Sequence, residues 1–224
     1  MEQAFTPQVF DLQHYELWRT TRLNKIEKIF GKEFFSGKTV LELGCGQGHI
    51  GRKFIEWGAQ VTFCEARKEL VDSMKNIMPD QEVIQLNQEE EWDLKRKFDI
   101  VIHWGVLYHL DKWKKDLECA IKHGNIIFLE TEVCDSDDPN FELKVTEHGG
   151  WDQAYNNEKL GSRPSYSMVE KYLNMYQTSY TRYDDSDINA AHFHVYDWPI
   201  QNKGDWRHGM RKFWIVKNDA NNIT

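Results

Sequence analysis

The sequence predicts an α/β protein: a Rossmann-like, doubly wound sheet of seven strands, mostly parallel with an antiparallel final strand, with helices on both faces. Short apolar runs alternate with helical patterns from residue 12 to residue 129, which is typical of parallel strands joined by helices. A glycine-rich turn follows the first apolar run, and two more strand-like runs come near the end of the chain. The length of 224 residues fits a single domain, 1–224.

The individual elements follow from local patterns. Apolar residues recur at helical spacing between residues 12 and 30, which predicts a helix within an N-terminal helical cap, 1–36. Later helices are predicted from single apolar faces and end at residues such as Gly58 and Pro79, and the last helix begins after Ser165, a suitable N-cap residue. Strands are predicted at 39–43, 60–64, 82–86, 98–103, 125–129, 178–183 and 211–217.

Two long segments, 134–163 and 184–210, interrupt the alternation of strands and helices. Both are polar and lack a clear period, and loops of this length are usually functional, so we expect two insertions on the substrate side. In the second segment, His192 and His194 stand two residues apart, but no third ligand has a clear spacing, so no metal site is predicted. Residues of the first segment that could contact a substrate are His148, Trp151, Tyr155 and Arg163.

Composition and charge restrict the classes of partner. The net charge of −8 disfavours a broad nucleic-acid surface, although short basic runs exist. No signal peptide and no run of about 18 apolar residues is evident, which argues against a membrane span and for a cytoplasmic protein. The cysteines form no C-x-x-C pair and are expected to be reduced thiols: Cys45, Cys64, Cys119 and Cys134.

The most informative motif lies between the first strand and the first helix after it. Glu42 precedes Gly44, Gly46 and Gly48, which gives an acidic residue followed by G-x-G-x-G. A dinucleotide-binding fingerprint would be G-x-G-x-x-G, but its third glycine position is His49 here, and Glu42 is foreign to it. Glycines leave the backbone open to a ligand, and the helix that follows offers unpaired N–H groups. The motif therefore predicts a nucleotide-like cofactor other than a dinucleotide.

This motif resembles motif I of class I S-adenosylmethionine-dependent methyltransferases. Glu65 follows Gly44 by 21 residues, where the family places an acid that accepts hydrogen bonds from both ribose hydroxyls. The resemblance implies S-adenosyl-L-methionine as cofactor, with adenine near Asn87 and the methionine part near His103. The implied cofactor-binding residues are Glu42, Gly44, Cys45, Gly46, Gly48, Glu65, Ala66, Asn87, Gln88, His103, Trp104, Gly105, Trp18 and Arg19.

Candidate catalytic residues follow the fourth and fifth strands, because ligands of such sheets bind at the carboxyl ends of the strands. His109 suits proton abstraction, which is needed only if the acceptor carries a proton, but a packing role is equally compatible with the sequence. Tyr108 either orients the substrate or packs at a helix start. Glu130 and Glu132 leave the fifth strand on one face, so Glu130 either meets the acceptor or is a solvated strand end.

A closer resemblance concerns the catalytic domain of tRNA wobble-uridine carboxymethyltransferases. Trp18-Arg19, the segment 98–109, residues 128–131 and Pro164-Ser165 carry it. That family has basic residues after the Tyr-His pair, where this chain has Leu110-Asp111, so we interpret the likeness as architecture shared with sugar and small-molecule methyltransferases.

The leading prediction is therefore methyl transfer to an O or N atom of a small molecule, such as a sugar or a nucleotide-linked metabolite. The alternatives are a tRNA-modifying methyltransferase and a non-catalytic adenosylmethionine-binding module. The sequence leaves the oligomeric state open.

Overall fold

A computed structural model describes residues 8–148, 150 and 153–219. The first seven residues of the predicted cap and Trp151 of the first insertion lie outside the described residues. The nine strands are β1 Thr39–Leu43, β2 Gln60–Glu65, β3 Glu82–Gln85, β4 Phe98–Trp104, β5 Gly124–Glu132, β6 Glu142–Thr146, β7 Leu160–Pro164, β8 Thr178–Tyr183 and β9 Arg211–Asn218.

Seven of these strands form one sheet in the order β3-β2-β1-β4-β5-β9-β8. Strands β1 to β5 are parallel, and β9 runs antiparallel to both of its neighbours, β5 and β8. The predicted Rossmann-like sheet with one antiparallel final strand is confirmed. The carboxyl ends of β1, β2, β4 and β5 meet at one edge, so the turns that follow them share one region of the surface.

Among the residues that the structure describes, five α-helices cover both faces of the sheet. They are α1 Gln13–Phe30, α2 His49–Glu56, α3 Lys68–Ile77, α4 Trp113–His123 and α5 Tyr166–Met175. Helix α5 begins where the sequence predicts, because the Ser165 side chain accepts a hydrogen bond from the Met168 N–H at 2.9 Å. No helix within the described part of the chain is both long and apolar enough to cross a membrane.

The core consists of two apolar layers, one on each face of the sheet. Successive strand residues face opposite layers, so Val40 packs with α1, α2 and α3 while Leu41 packs with α4 and α5. Strands β1, β4 and β5 are buried on both faces, which explains why they read as continuous apolar runs rather than as alternating ones.

The two insertions differ from each other in structure. The first, predicted as a segment without regular structure, contains the antiparallel strand pair β6–β7, so that expectation was wrong in part. Strand β6 reads Glu-Leu-Lys-Val-Thr and is only half buried, which leaves too few apolar residues for its period to stand out. In the second insertion, the structure describes one short 3-10 helix, Ser186–Ile188. Val195 of the same insertion forms an isolated β-bridge with Met210.

Candidate functional site

The turn after β1 is built around a carboxylate from the neighbouring strand. Glu65, at the end of β2, accepts hydrogen bonds from the Gly46 N–H at 3.0 Å and from the Arg67 N–H at 3.0 Å. Gly46 has a φ of +54°, a conformation that other residues adopt only with strain. The turn therefore holds the glycine backbone and the Glu65 carboxylate side by side at the edge of a cleft.

Glu42, the acidic residue of the motif, lies beneath this turn. It is buried, and it accepts a hydrogen bond from the Gly51 N–H of α2 at 2.8 Å. Burial disfavours the charged carboxylate and raises the pKa of Glu42 to about 8, although the Gly51 N–H and the nearby Arg19 oppose that shift. A Cβ on Gly51 would come within 2.4 Å of the Glu42 carboxylate, so this close contact requires a glycine at position 51.

A single cleft collects most of the predicted cofactor residues at the carboxyl ends of β1, β2 and β4. The predicted residues that line it are Trp18, Arg19, Glu42, Gly44, Cys45, Gly46, Glu65, Ala66, Asn87, Gln88, Trp104 and Gly105.

Two predicted cofactor residues, Gly48 and His103, are absent from this lining. A Cβ on Gly48 would lie 2.5 Å from the Met74 Cε of α3, so this glycine allows close packing between helices. His103 alternates with Trp104 along β4 and therefore points to the opposite face, where its Nε2 lies 2.5 Å from the Asp116 carboxylate. For both residues the structure shows a packing role in place of the predicted cofactor contact.

Aromatic residues of the N-terminal region form one wall of the cleft. The Phe10 ring lies over the turn, 3.4 Å from where a Cβ on Gly46 would be. Trp18 of α1 packs against Gly105, and the Arg19 guanidinium donates to the Phe10 carbonyl at 2.9 Å. The predicted helical cap therefore covers the cleft with residues 10–19, among which Phe10 carried no sequence signal.

The cleft contains buried polar atoms that have no hydrogen-bond partner among the described residues. Four belong to lining residues: Gln47 Nε2, Trp104 Nε1, Gln153 Oε1 and Arg211 Nε. Unpaired buried donors cost free energy, on the order of 1–3 kcal/mol each, unless a ligand accepts from them. Gln88 is different, because its amide already donates to Asp116 at 3.1 Å. The donors of Gln47 and Trp104 and the carboxylate of Glu65 fit a ligand that carries both hydroxyl groups and acceptor atoms.

A second cleft adjoins the first, between α1, the β6–β7 pair and the 184–210 insertion. The residues that line both clefts are Tyr15, Tyr108, His109, Gln153, His194 and Arg211. One of them is His109, a predicted catalytic residue that follows β4. It also lines the second cleft, much of whose wall comes from the two insertions. The shared wall is where a group bound in one cleft would meet a group bound in the other.

His109 has a carboxylate partner that the sequence did not predict. Its Nδ1 lies 2.6 Å from Glu147 Oε2, and Glu147 also accepts from the Ala154 N–H at 2.7 Å and from Arg163 at 2.9 Å. Burial alone would raise the pKa of Glu147, but His109 and Arg163 outweigh it and hold this pKa below its usual range. An ionised Glu147 that accepts the Nδ1–H of His109 leaves His109 Nε2 as a free proton acceptor.

Tyr108 is held between two guanidinium groups. The guanidinium carbons of Arg163 and Arg211 lie 4.7 Å and 4.8 Å from the centre of its ring, and Arg211 Nη2 donates to its hydroxyl at 3.1 Å. Burial raises the pKa of Tyr108 well above its ordinary value, so the residue stays a neutral phenol. It lines both clefts as a hydrogen-bonding group and is not a base.

Glu130 does not take the predicted position against the acceptor. Its side chain is fully buried and is absent from the lining of both clefts. The Tyr196 hydroxyl donates to it at 2.6 Å, Arg211 donates at 3.1 Å, and Arg22 lies 3.5 Å away. A carboxylate that is paired with two arginines and a tyrosine holds those side chains in place, so neither the predicted acceptor contact nor the solvated strand end describes it.

Glu132 completes a continuous series of buried ion pairs. Its carboxylate receives Arg163 Nε at 2.7 Å and lies 3.3 Å from Arg211 Nη2. The charges of Arg211 and Arg163 and a hydrogen bond from His208 overcome the effect of burial and lower the pKa of Glu132 far below its usual range. We call this series the buried ion chain; its members, from α1 to the cleft, are Arg22, Glu130, Arg211, Glu132, Arg163, Glu147 and His109.

The side chain of Arg67, which precedes α3, connects the region after β2 to the first insertion. Arg67 Nη2 donates to the carbonyl oxygens of Gln153 at 2.7 Å and of Gly150 at 3.1 Å, and its guanidinium lies 5.1 Å from the centre of the Tyr155 ring. We call these contacts the Arg67 clasp. They place Gln153 and Tyr155 in the lining of the first cleft. Tyr155 is one of the residues of the first insertion predicted to contact a substrate, whereas Gln153 carried no sequence signal.

His194 lies on the shared wall and contacts the backbone of its own segment. Its Nδ1 lies 3.0 Å from the Ala190 carbonyl oxygen, and burial together with the charge of Arg211 lowers the pKa of His194, which keeps the ring neutral. The ring of His192, two residues away, lies 3.7 Å from the Phe193 ring and is tilted to it by 41°. Within residues 8–148, 150 and 153–219, no group of three or more His, Cys, Asp or Glu side chains is arranged to hold a metal ion.

Comparisons with known proteins agree with this architecture. A family profile described as a methyltransferase domain matches residues 13–197. A search of curated proteins finds no match.

Solved structures are similar at low sequence identity. The N-terminal domain of EvdMO1 with SAH bound is 16% identical, has a TM-score of 0.66, and aligns over 92% of this chain and 84% of that one. A putative S-adenosylmethionine-dependent methyltransferase from Listeria monocytogenes is 14% identical over 88% of this chain and 98% of that one, with a TM-score of 0.62. The plantazolicin methyltransferase BpumL, in complex with a triazolic desmethylPZN analog and SAH, is 14% identical over 90% and 85%, with a TM-score of 0.59.

Proposed function

Because this chain belongs to the class I S-adenosylmethionine-dependent methyltransferases, we propose that it methylates an O or N atom of a small molecule bound in the second cleft. The observation that carries this proposal is the position of the His109–Glu147 pair on the wall shared by the two clefts. The second cleft lies among the insertions, where the chain departs from the regular α/β pattern.

The residues of the first cleft fit S-adenosylmethionine. We assign the ribose hydroxyls to Glu65, the adenine to the neighbourhood of Asn87, and the methionine part to Gly105 and the Arg19 guanidinium. The unpartnered donor of Gln47 and the open backbone at Gly46 support this placement. When bound there, the cofactor supplies an electrophilic methyl group on a sulfonium ion, and the protein supplies position and surroundings.

His109 provides the proton acceptor that a hydroxyl or ammonium acceptor needs. Glu147 fixes the ring by accepting the Nδ1–H, so His109 Nε2 receives the proton of the acceptor as the O–C or N–C bond forms. Arg163 holds the other oxygen of Glu147, which restricts rotation of the carboxylate. Tyr108, as a neutral phenol on the same wall, orients the acceptor by hydrogen bonding.

The test is a methyl-transfer assay with isotope-labelled S-adenosylmethionine and a panel of hydroxylated and amino metabolites, with tRNA as a separate acceptor. We expect transfer to a member of the small-molecule panel and its loss in His109→Gln. Transfer to tRNA alone would replace the proposal with the RNA-modifying alternative. Tight cofactor binding with no transfer to any acceptor would identify a binding module.

We also propose a cytoplasmic location. All four cysteines are buried free thiols, which suits a reducing compartment.

A further inference from the structure

The lining of the second cleft is rich in fixed positive charge. Arg163 and Arg211 both line it and both are buried. Aromatic rings restrict them: the Arg163 guanidinium lies 4.7 Å from the Tyr108 ring centre and 4.6 Å from the Trp206 ring centre, and Arg211 lies against the Tyr108 ring. Arginine keeps its charge under all ordinary conditions, so a ligand in this cleft always faces two immobile cations.

The carboxylate at the surface of the second cleft is already paired with other side chains of the protein. Among the lining residues that the structure describes, Glu147 is the one carboxylate, and both of its oxygens already accept hydrogen bonds. Glu132 lies beneath the lining and is shared by Arg163, Arg211 and His208. A cationic acceptor would therefore meet two guanidinium groups and find no free carboxylate to pair with.

Two buried donors of the lining have no partner among the described residues. They are Arg211 Nε and Trp206 Nε1. The terminal nitrogens of Arg211 are occupied by Glu130, Glu132 and Tyr108, so Nε is its remaining donor. Ligand oxygens that accept from these two N–H groups would remove the cost of leaving them unpaired, and a charged oxygen gains more than a neutral one.

From these contacts, and resting on the proposed function, we propose that the acceptor is an anionic molecule whose carboxylate or phosphate group is recognised by Arg211 and Trp206. The hydroxyl or amine to be methylated lies toward His109. The rings of Tyr15, Tyr108, Phe193 and Trp206 line the same cleft and suit a planar or ring-shaped body between the two polar ends.

The test measures binding of simple probes to the protein saturated with S-adenosylhomocysteine, by calorimetry at constant ionic strength. The probes are benzoate, phenyl phosphate, the neutral benzamide and the cationic benzylamine. We expect at least one anion to bind about tenfold or more tightly than benzamide, and benzylamine to bind most weakly. Comparison of benzoate with phenyl phosphate decides between a carboxylate and a phosphate.

Trp206→Phe keeps an aromatic ring and removes one hydrogen-bond donor. We therefore expect it to lower the affinity for the preferred anion several-fold, while S-adenosylhomocysteine binds as before. Trp57→Phe is the matched control, because Trp57 lies at the end of α2 and lines neither cleft, and it should bind the probes like the unmodified protein. Arg211→Lys keeps the positive charge but loses the Nε donor, so it should lower the affinity for the anion further.

Equal binding of anion and benzamide, or no detectable binding of any probe while S-adenosylhomocysteine binds, would overturn the anionic acceptor. Failure of S-adenosylhomocysteine to bind the unmodified protein would instead overturn the proposed function.

Discussion

At the scale of single residues, the proposed role of His109 rests on a partner that is distant in sequence. The sequence left His109 between a base and a packing residue, since imidazole serves both. Glu147, 38 residues further along the chain, lies 2.6 Å from His109 Nδ1 and supports the proposal that Nε2 is the proton acceptor. No local sequence pattern identifies Glu147 as the partner of His109. It follows β6 in the first insertion, where the sequence shows no clear hydrophobic period.

We predict that His109→Gln lowers kcat by about 10²–10⁴-fold, the usual contribution of a positioned base. Glu147→Gln should cause a smaller loss, because the ring remains but its orientation and tautomer are no longer fixed. His192→Gln is the control, since His192 is exposed and lines neither cleft. Rates measured with saturating acceptor test this, and a His109 variant with the rate of the control would exclude the base.

Glu42 gives a prediction about pH. Its pKa is raised from 4.5 to about 8 by burial, so the folded protein binds one more proton than the unfolded chain between these values. The stability that protonated Glu42 contributes is fully present below pH 4.5 and is lost as the pH rises through about 8.

Urea unfolding should therefore show that the free energy of unfolding, relative to Glu42→Gln, falls by on the order of a few kcal/mol between about pH 5 and about pH 9. Glu56→Gln, at an exposed position of α2, is the control and should follow the unmodified protein. Parallel curves for the unmodified protein and Glu42→Gln would contradict the raised pKa.

Glu130 provides a separate test, of stability. Glu130→Gln removes the carboxylate from between Arg22 and Arg211, so we expect a loss of about 3–5 kcal/mol in the free energy of unfolding. Asp93→Asn, which removes the partner of the exposed Lys95, should change the free energy of unfolding much less. A variant of Glu130 with unchanged unfolding but impaired catalysis would restore the acceptor contact predicted from the sequence.

At the scale of elements, the sequence predicts regular structure well where strands are buried on both faces. Strand β1 is observed at Thr39–Leu43, as predicted, and α5 begins after its Ser165 cap. Strand β5 continues three residues beyond the predicted end, because its polar residues 130–132 pair with β9 and are buried by arginines. From the sequence alone, charged residues suggest that a strand has ended, because the buried arginines that pair with them cannot be identified.

The Arg67 clasp connects two elements that the sequence treats as independent. We predict that Arg67→Ala loosens the backbone at Gly150 and at residues 153–155, raising proteolytic cleavage or amide exchange there and weakening acceptor binding. Lys68→Ala is the control, because Lys68 is the next residue and pairs only with Asp72 at the surface among its described contacts. Equal cleavage of the two variants would show that other contacts hold the segment.

At the scale of the whole molecule, the two halves of the site differ in how far they can be predicted. The proposed cofactor half depends on one motif and on residues that follow consecutive parallel strands, so the motif and the family resemblance together predict most of its lining. The acceptor half draws Tyr108, Glu147, Arg163, His194 and Arg211 from four separate segments. Their association depends on tertiary packing, which local periodicity does not encode.

The buried ion chain places arginines at a cleft of a protein that is acidic as a whole. The net charge of −8 is that of the whole chain, while Arg163 and Arg211 are buried and line the second cleft. Global charge argues against extended nucleic acid but says little about a ligand that enters a single cleft.

The position of β9 between β5 and β8 has a consequence for protein synthesis. Ribosomes make the cofactor half first, since its residues come before position 110, whereas Arg211 is added near the end of the 224 residues. A nascent chain can therefore assemble the turn around Gly46 early, but Glu130 and Glu132 wait for their arginine partner. The acceptor compartment therefore forms after the turn, and translation that stops before β9 would release a chain whose Glu130 and Glu132 lack Arg211 as a partner.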